Sequence, residues 1–73
     1  MSAYRDPVSF VTWLRSQTGD DGLVGQLAAG ARADRAMPSN GSVEDVRSRL
    51  RSTMAEEDMF EALDDAESLW LRS

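Results

Sequence analysis

The chain has 73 residues, of which 41% are hydrophobic and 29% are charged, and its net charge is −5 at pH 7. It has no histidine, no cysteine and no lysine, so all eight basic residues are arginines. These absences exclude imidazole proton transfer, thiolate catalysis, Schiff-base formation and soft metal ligands. We therefore expect no enzymatic activity, no cofactor and no metal site.

The length and composition indicate one domain of ordinary globular composition. At this size folding buries only about 60% of the surface of the unfolded chain, so the core must be small. The lack of cysteine fits a reducing cytoplasm. The first seven residues lack the apolar run of a signal peptide, and no stretch approaches the roughly 20 apolar residues that span a bilayer. We expect a cytoplasmic protein without membrane contact.

The negative charge is concentrated near the C-terminal end of the chain. Residues 1–54 carry seven arginines and six acidic residues, whereas residues 55–73 carry seven acidic residues and only Arg72. Such an acidic field repels nucleic acid unless a local basic patch offsets it. A protein is therefore the favoured partner.

The first predicted helix covers about residues 7–18. Asp6 is placed as its N-cap and Pro7 at its first position, where the missing N–H costs nothing. Gly19 fits the residue that follows a helix in the left-handed conformation. The inward face consists of Phe10, Val11 and Leu14.

The second predicted helix covers about residues 22–35. Asp20, Asp21 and Gly22 open it, and acidic residues there suit the helix dipole. Gly25 and Gly30 cost helix stability and indicate close approach of a neighbouring backbone. Pro38 ends the segment because it disfavours helical geometry in the preceding residue. The inward stripe consists of Leu23, Val24, Leu27, Ala28 and Ala31.

Two further helices follow the loop over residues 38–41. Ser42 and Asp45 form a capping box for a helix over about 43–52, and a second box over residues 53–56 starts a helix over about 55–72. No glycine or proline enforces this break, so one bent helix is the alternative. The inner face of the third helix is Val43, Val46, Leu50 and Met54. That of the last helix is Met59, Leu63, Ala66 and Trp70, flanked by Phe60 and Leu69.

These segments predict an all-α, compact bundle of four short helices without a sheet. Their landmarks resemble the YozE-type SAM-like family of small bacterial proteins over roughly residues 9–70. The resemblance implies a SAM-like fold and brings no enzyme activity. The chain departs from the family pattern at Met37, where an aromatic is usual, and at Leu63, where a tryptophan is expected. The matching segments are Ser9-Phe10, Trp13-Leu14, residues 20–28, Asp34–Pro38, Val46, Leu50 and Phe60–Ala66.

Five acidic side chains cluster on one side of the last predicted helix, opposite its apolar stripe. Such a cluster is most often a solvated face that keeps a protein soluble. Its functional interpretation is a docking surface for a basic partner, including mimicry of a phosphate backbone by an inhibitor. Acid–base catalysis or Mg²⁺ binding is disfavoured because exposed, diverging carboxylates stay hydrated. The residues are Glu57, Asp58, Glu61, Asp64 and Asp65.

Four arginines form an alternative, basic site for phosphate or an acidic partner. The competing and favoured interpretation is ordinary ion pairing within the third helix, between Asp45 and Arg49 and between Glu44 and Arg47. The arginines also lack interleaved exposed aromatics, and the acidic start of the third helix would repel phosphate. The candidate basic patch is Arg32, Arg35, Arg47 and Arg51.

The aromatic residues Phe10, Trp13, Phe60 and Trp70 are expected mainly in the core. Trp13 lies off the centre of its stripe and Trp70 is near the C-terminus, so either is a candidate anchor for a partner.

These patterns favour a non-catalytic protein-interaction module that docks a protein partner through the acidic last helix. The alternatives are a nucleic-acid-binding domain that uses the arginine patch, and a small acidic inhibitor that mimics nucleic acid. We expect a monomer or weak self-association, in which the last helix of one copy meets Arg47 and Arg51 of another.

Overall fold

The structure is a computed structural model that describes residues 8–17 and 22–72. Within these ranges the chain forms four α-helices and no β-strand. This confirms the prediction of a small all-α fold. In chain order the helices are α1 (Phe10–Arg15), α2 (Leu23–Ala33), α3 (Val43–Ser52) and α4 (Glu57–Arg72).

Helix α1 is shorter than the sequence predicts. Ser9 is its N-cap, in extended conformation, and its hydroxyl oxygen accepts a hydrogen bond from the Thr12 backbone N–H at 3.2 Å. A hydroxyl in this position satisfies one of the free N–H groups at a helix start. The predicted start near residue 7 is therefore wrong. The predicted roles of Asp6, Pro7, Gly19, Asp20 and Asp21 fall outside the described residues.

Helix α2 ends two residues before the predicted Arg35. Its C-cap is Asp34, which turns the chain into extended conformation. The Asp34 carboxylate accepts a hydrogen bond from the Ala36 backbone N–H at 2.9 Å, which stabilises the turn. The prediction of close backbone approach is wrong at Gly30, since a Cβ there would meet no atom within 4 Å.

Helix α3 begins with the predicted capping box. The Ser42 hydroxyl accepts from the Asp45 N–H at 3.2 Å, and the Asp45 carboxylate accepts from the Ser42 N–H at 2.9 Å. The N–H of Met54 donates to the carbonyl of Arg51, and that of Ala55 donates to the carbonyl of Leu50. This pair of bonds at the helix end is a Schellman motif.

The chain breaks between α3 and α4 as predicted, but not through a second capping box. The Thr53 hydroxyl donates to the carbonyls of Arg49 and Leu50, so it belongs to the end of α3. Met54 adopts a left-handed φ of 55° and reverses the chain. Its side chain is 87% exposed, so its predicted place on the inner face of α3 is wrong.

The hydrophobic core lies where α4 packs against the other three helices. Three residues of α4 are fully buried, namely Ala62, Leu63 and Ala66. Ala62 was not among the predicted core positions. Met59, Phe60 and Trp70 are only half-buried, and Leu69 is 42% exposed. The buried residues of the other helices are Phe10, Val11, Leu14, Val24, Leu27, Ala28, Ala31, Val43, Val46 and Leu50.

Candidate protein-interaction surface

The acidic side of α4 is exposed over its whole predicted extent. Because an α-helix turns about 100° per residue, burial of one stripe directs the opposite stripe to solvent. The buried stripe of α4 contains Ala62, Leu63 and Ala66. All five predicted acidic residues are exposed, and we call them the acidic face: Glu57, Asp58, Glu61, Asp64 and Asp65.

One member of the acidic face contacts a basic residue of the described chain. The carboxylate of Asp64 lies 3.9 Å from a guanidinium nitrogen of Arg47 on α3. Arg47 also pairs with Glu44 at 3.2 Å, which confirms the predicted pair within α3. Asp64 and Glu44 are well exposed, so solvent weakens both contacts. The other four acidic-face residues form no ion pair with a described residue.

The candidate basic residues have different surroundings. Arg32 donates to the backbone carbonyls of Arg15 and Gln17, at 3.1 and 3.3 Å, so its guanidinium holds the end of α1. Arg47 is half-buried beside its two acidic partners. Arg35 and Arg51 are exposed and form no ion pair with a described residue. The guanidinium groups of two of the four arginines, Arg32 and Arg47, therefore already have partners within the chain.

The predicted pair between Asp45 and Arg49 does not form, because the Asp45 carboxylate is occupied in the capping box. Arg49 instead donates two hydrogen bonds to the carboxylate of Asp34, at 2.8 and 3.1 Å. These bonds from Arg49 hold the pKa of Asp34 below its usual value, assisted by the hydrogen bond from the Ala36 N–H. The pair joins the end of α2 to α3.

A second arginine contact was not predicted. The Arg15 guanidinium donates to three carbonyls around the end of α2, those of Ala31, Asp34 and Met37, at 3.1, 3.4 and 3.3 Å. Arg15 on α1 therefore caps α2, while Arg32 on α2 caps α1. Basic residues in the last turns of both helices were a signal for capping, because the last carbonyls of a helix lack partners.

The aromatic residues form a cluster between α1 and α4. Phe10 is buried, and its ring stacks on Trp13 with centroids 5.8 Å apart. The ring of Trp70 packs edge-on against Phe10 at 5.5 Å. The Trp70 indole N–H donates to the Val8 carbonyl at 3.1 Å. The core prediction is confirmed for Phe10, whereas both tryptophans and Phe60 are half-buried.

An apolar cavity of about 290 Å³ lies beside the start of α4. Sequence patterns did not indicate it, because it arises from the packing of α2, α3, α4 and the segments that connect them. Its apolar lining comes from Leu27, Ala31, Met37, Leu50 and Met59. The Asp34–Arg49 pair also lines it, and Gly30 leaves space at its α2 side.

Comparison of the chain with protein-family models, with curated proteins and with solved structures finds no match. In the part of the chain that the structure describes, no helix is both long and apolar enough to cross a membrane. Nor do residues 8–17 and 22–72 contain a group of three or more acidic side chains arranged to hold a metal ion. The arrangement of charged and apolar surface is therefore the main guide to function.

Proposed function

We propose that the chain is a non-catalytic protein-interaction module that docks a basic protein partner through the acidic face of α4. The observation that carries the proposal is the exposure of all five acidic side chains on one side of a single helix. Only Asp64 has an ion-pair partner among the described residues, and that contact is 3.9 Å long. The negative charge is therefore free to interact with another molecule.

The rigid support of the acidic face favours this proposal. Helix α4 packs against all three other helices, so its outer side chains are held on a fixed backbone. A fixed row of like charges produces a directional field, which steers an oppositely charged partner and raises the association rate. The interaction should weaken as ionic strength rises, because salt screens exposed charges.

Two alternatives remain distinguishable from this function. Nucleic-acid binding would require a contiguous positive patch, and Arg32 and Arg47 already have partners within the chain. An inhibitor that mimics nucleic acid would use the same acidic face, but its partner would be a nucleic-acid-binding protein. The identity of the partner therefore separates the inhibitor from a general interaction module.

We also propose that the chain is a cytoplasmic member of the YozE-type SAM-like family. The order of four helices supports this, as does the burial of Phe10, Leu14, Val46 and Leu50, which are family landmarks. An experimental structure tests the fold by superposition of its helices on a SAM-like domain. A different helix arrangement would contradict it.

The function is tested by affinity capture from lysate of the native host, with and without nuclease. The parent protein is compared with Asp64→Asn/Asp65→Asn, which removes two charges from the acidic face. We expect a protein that survives nuclease treatment and is captured by the parent alone. Purified, that partner should bind the variant at least about tenfold more weakly, and binding to the parent should weaken with added salt.

The matched control is Glu44→Gln/Glu56→Gln, which changes the net charge equally but lies outside the acidic face. It should retain the partner, because the location of the charges matters rather than their sum. Equal weakening by both variants would contradict a localised docking surface. Loss of all bound material on nuclease treatment would favour nucleic-acid binding instead.

A further inference from the structure

Met54 combines two properties that are unfavourable for the isolated chain. Its φ of 55° lies in the left-handed region, where glycine is favoured and a side chain is strained. Its side chain is 87% exposed, so the strain is not offset by burial in the core. Among the described residues, Met54 is the only non-glycine residue with a positive φ. The hydrogen bonds at the end of α3 fix this backbone conformation, and they leave the apolar side chain available for a contact outside the chain.

The apolar cavity begins at the residue next to Met54. Thr53 lines it and is exposed, as are Gln26 and Gly30 on α2, so the cavity opens to solvent. Its volume of about 290 Å³ accommodates one long apolar side chain. Methionine suits such a space, since its unbranched, flexible chain adapts to irregular apolar surroundings.

We propose that the cavity receives the Met54 side chain of a second copy of this chain, in a weak symmetric dimer. A two-fold interface requires that each copy presents both the inserted group and the cavity that receives it. Met54 and the cavity satisfy this requirement because they adjoin at Thr53. The contact differs from docking of a basic partner on the acidic face and does not depend on it.

The charges on either side of Met54 are complementary between two copies. Arg51 precedes Met54 by three residues and Glu56 follows it by two, and both are exposed without an ion pair to a described residue. When two such segments meet antiparallel, Arg51 of each copy lies against Glu56 of the other. The pattern of basic, apolar and acidic residues is thus its own complement.

The dimer is weak because the contact is small. One inserted side chain and one flanking ion pair from each copy bury far less than the roughly 1,200 Å² of a stable interface. Exposed ion pairs add little, and the charge of −5 on each copy opposes association. Dimer formation is therefore expected only at concentrations approaching about 1 mM.

Sedimentation equilibrium of the full chain, over concentrations up to about 1 mM, tests the proposal with Met54→Gly. Glycine relieves the left-handed strain, so the variant should unfold at a higher temperature than the parent. Its dimer dissociation constant should nevertheless rise at least about tenfold. Weaker association in a more stable protein cannot result from unfolding.

A second variant, Gly30→Leu, fills the mouth of the cavity from α2. No atom obstructs a side chain there, and replacing glycine within a helix favours folding. The dimer dissociation constant should rise in this variant as well. Leu71→Ala is the matched control, because Leu71 is 70% exposed on α4 and does not line the cavity. Its association should equal that of the parent.

Charge reversal tests the antiparallel arrangement. Arg51→Glu and Glu56→Arg should each weaken the dimer, and the double variant should restore it. A parent that remains monomeric at about 1 mM would overturn the proposal. It would also be overturned by undiminished association of Met54→Gly, or by loss of the dimer in Asp64→Asn/Asp65→Asn, which would favour contact through the acidic face instead.

Discussion

The two connections on either side of α3 are held in different ways. The α2–α3 connection, residues 34–42, is bonded to side chains and backbone of distant segments. Arg15 donates to two of its carbonyls, Arg49 pairs with Asp34, and the Val11 N–H donates to the Gly41 carbonyl at 3.1 Å. The α3–α4 connection, residues 53–56, is held by bonds to the end of α3 itself.

The difference separates a structural connection from one available for contact. In the longer connection Met37 and Gly41 are buried, so a change there disturbs packing between helices. In the shorter one Met54 is exposed, and its backbone bonds do not depend on its side chain. Substitutions should therefore destabilise the α2–α3 connection strongly and the α3–α4 connection little.

The largest expected effect is that of Gly41→Ala. An added Cβ would lie 2.9 Å from a methyl carbon of Val11 and 3.0 Å from the Pro38 carbonyl oxygen. The backbone there is fixed by its bond from α1, so relief requires movement of the connection. We expect a loss of about 2 kcal/mol in the free energy of unfolding, measured by urea denaturation.

The matched control for this prediction is Gly30→Ala. A Cβ at Gly30 meets nothing within 4 Å, and alanine favours the helix by up to about 1 kcal/mol. The two substitutions of the same kind should thus change stability in opposite directions. Equal effects would show that the tight fit around Gly41 does not restrict the chain.

The next largest effect is expected for Arg15→Lys. A planar guanidinium can donate to three carbonyls around the end of α2 at once, whereas a single ammonium cannot reproduce that geometry. We expect the free energy of unfolding, measured by thermal or urea denaturation, to fall by about 1–2 kcal/mol. Arg35→Lys is the control, because Arg35 is exposed without an ion pair to a described residue, and it should leave stability unchanged. If Arg15→Lys left the free energy of unfolding unchanged, water would be replacing the lost hydrogen bonds.

Local sequence signals predicted the four helices and the position of the α3–α4 connection. The spacing of Phe10, Val11 and Leu14 placed one face of α1, and Ser42 with Asp45 marked the start of α3. Both signals act within four residues, so they can be recognised without knowing the tertiary structure. The break before α4 was also correctly located, although Thr53 proved to cap the preceding helix.

Contacts between distant residues could not be predicted in the same way. Helical spacing predicted Asp45 as the partner of Arg49, and only the packed structure shows that Asp34 binds it while Asp45 serves as a cap. The exposure of Met54 depends on its left-handed φ, which favours glycine and for which methionine gives no signal. The acidic face was predictable because helical periodicity alone determines which side of α4 is free.

The smallest expected effect concerns the ion pair between Asp34 and Arg49. The bonds from Arg49 lower the pKa of Asp34 in the folded chain below its usual value of 3.8. A lowered pKa stabilises the folded chain above the unfolded pKa, and this stabilisation is lost as the pH falls through the folded pKa. Both side chains are partly exposed, so solvent limits its size.

The test compares the unfolding temperatures of the parent and Asp34→Asn from neutral pH down to about pH 2. Asparagine keeps one oxygen, which can accept from the Ala36 N–H and from one Arg49 nitrogen, so the variant removes the charge and one of the two bonds from Arg49. The parent should be more stable at neutral pH, and its advantage should diminish below pH 3.8 as Asp34 is protonated. Comparing the two proteins at the same pH isolates the contribution of Asp34. A constant difference across this range would assign the α2–α3 link to hydrogen-bond geometry rather than to charge.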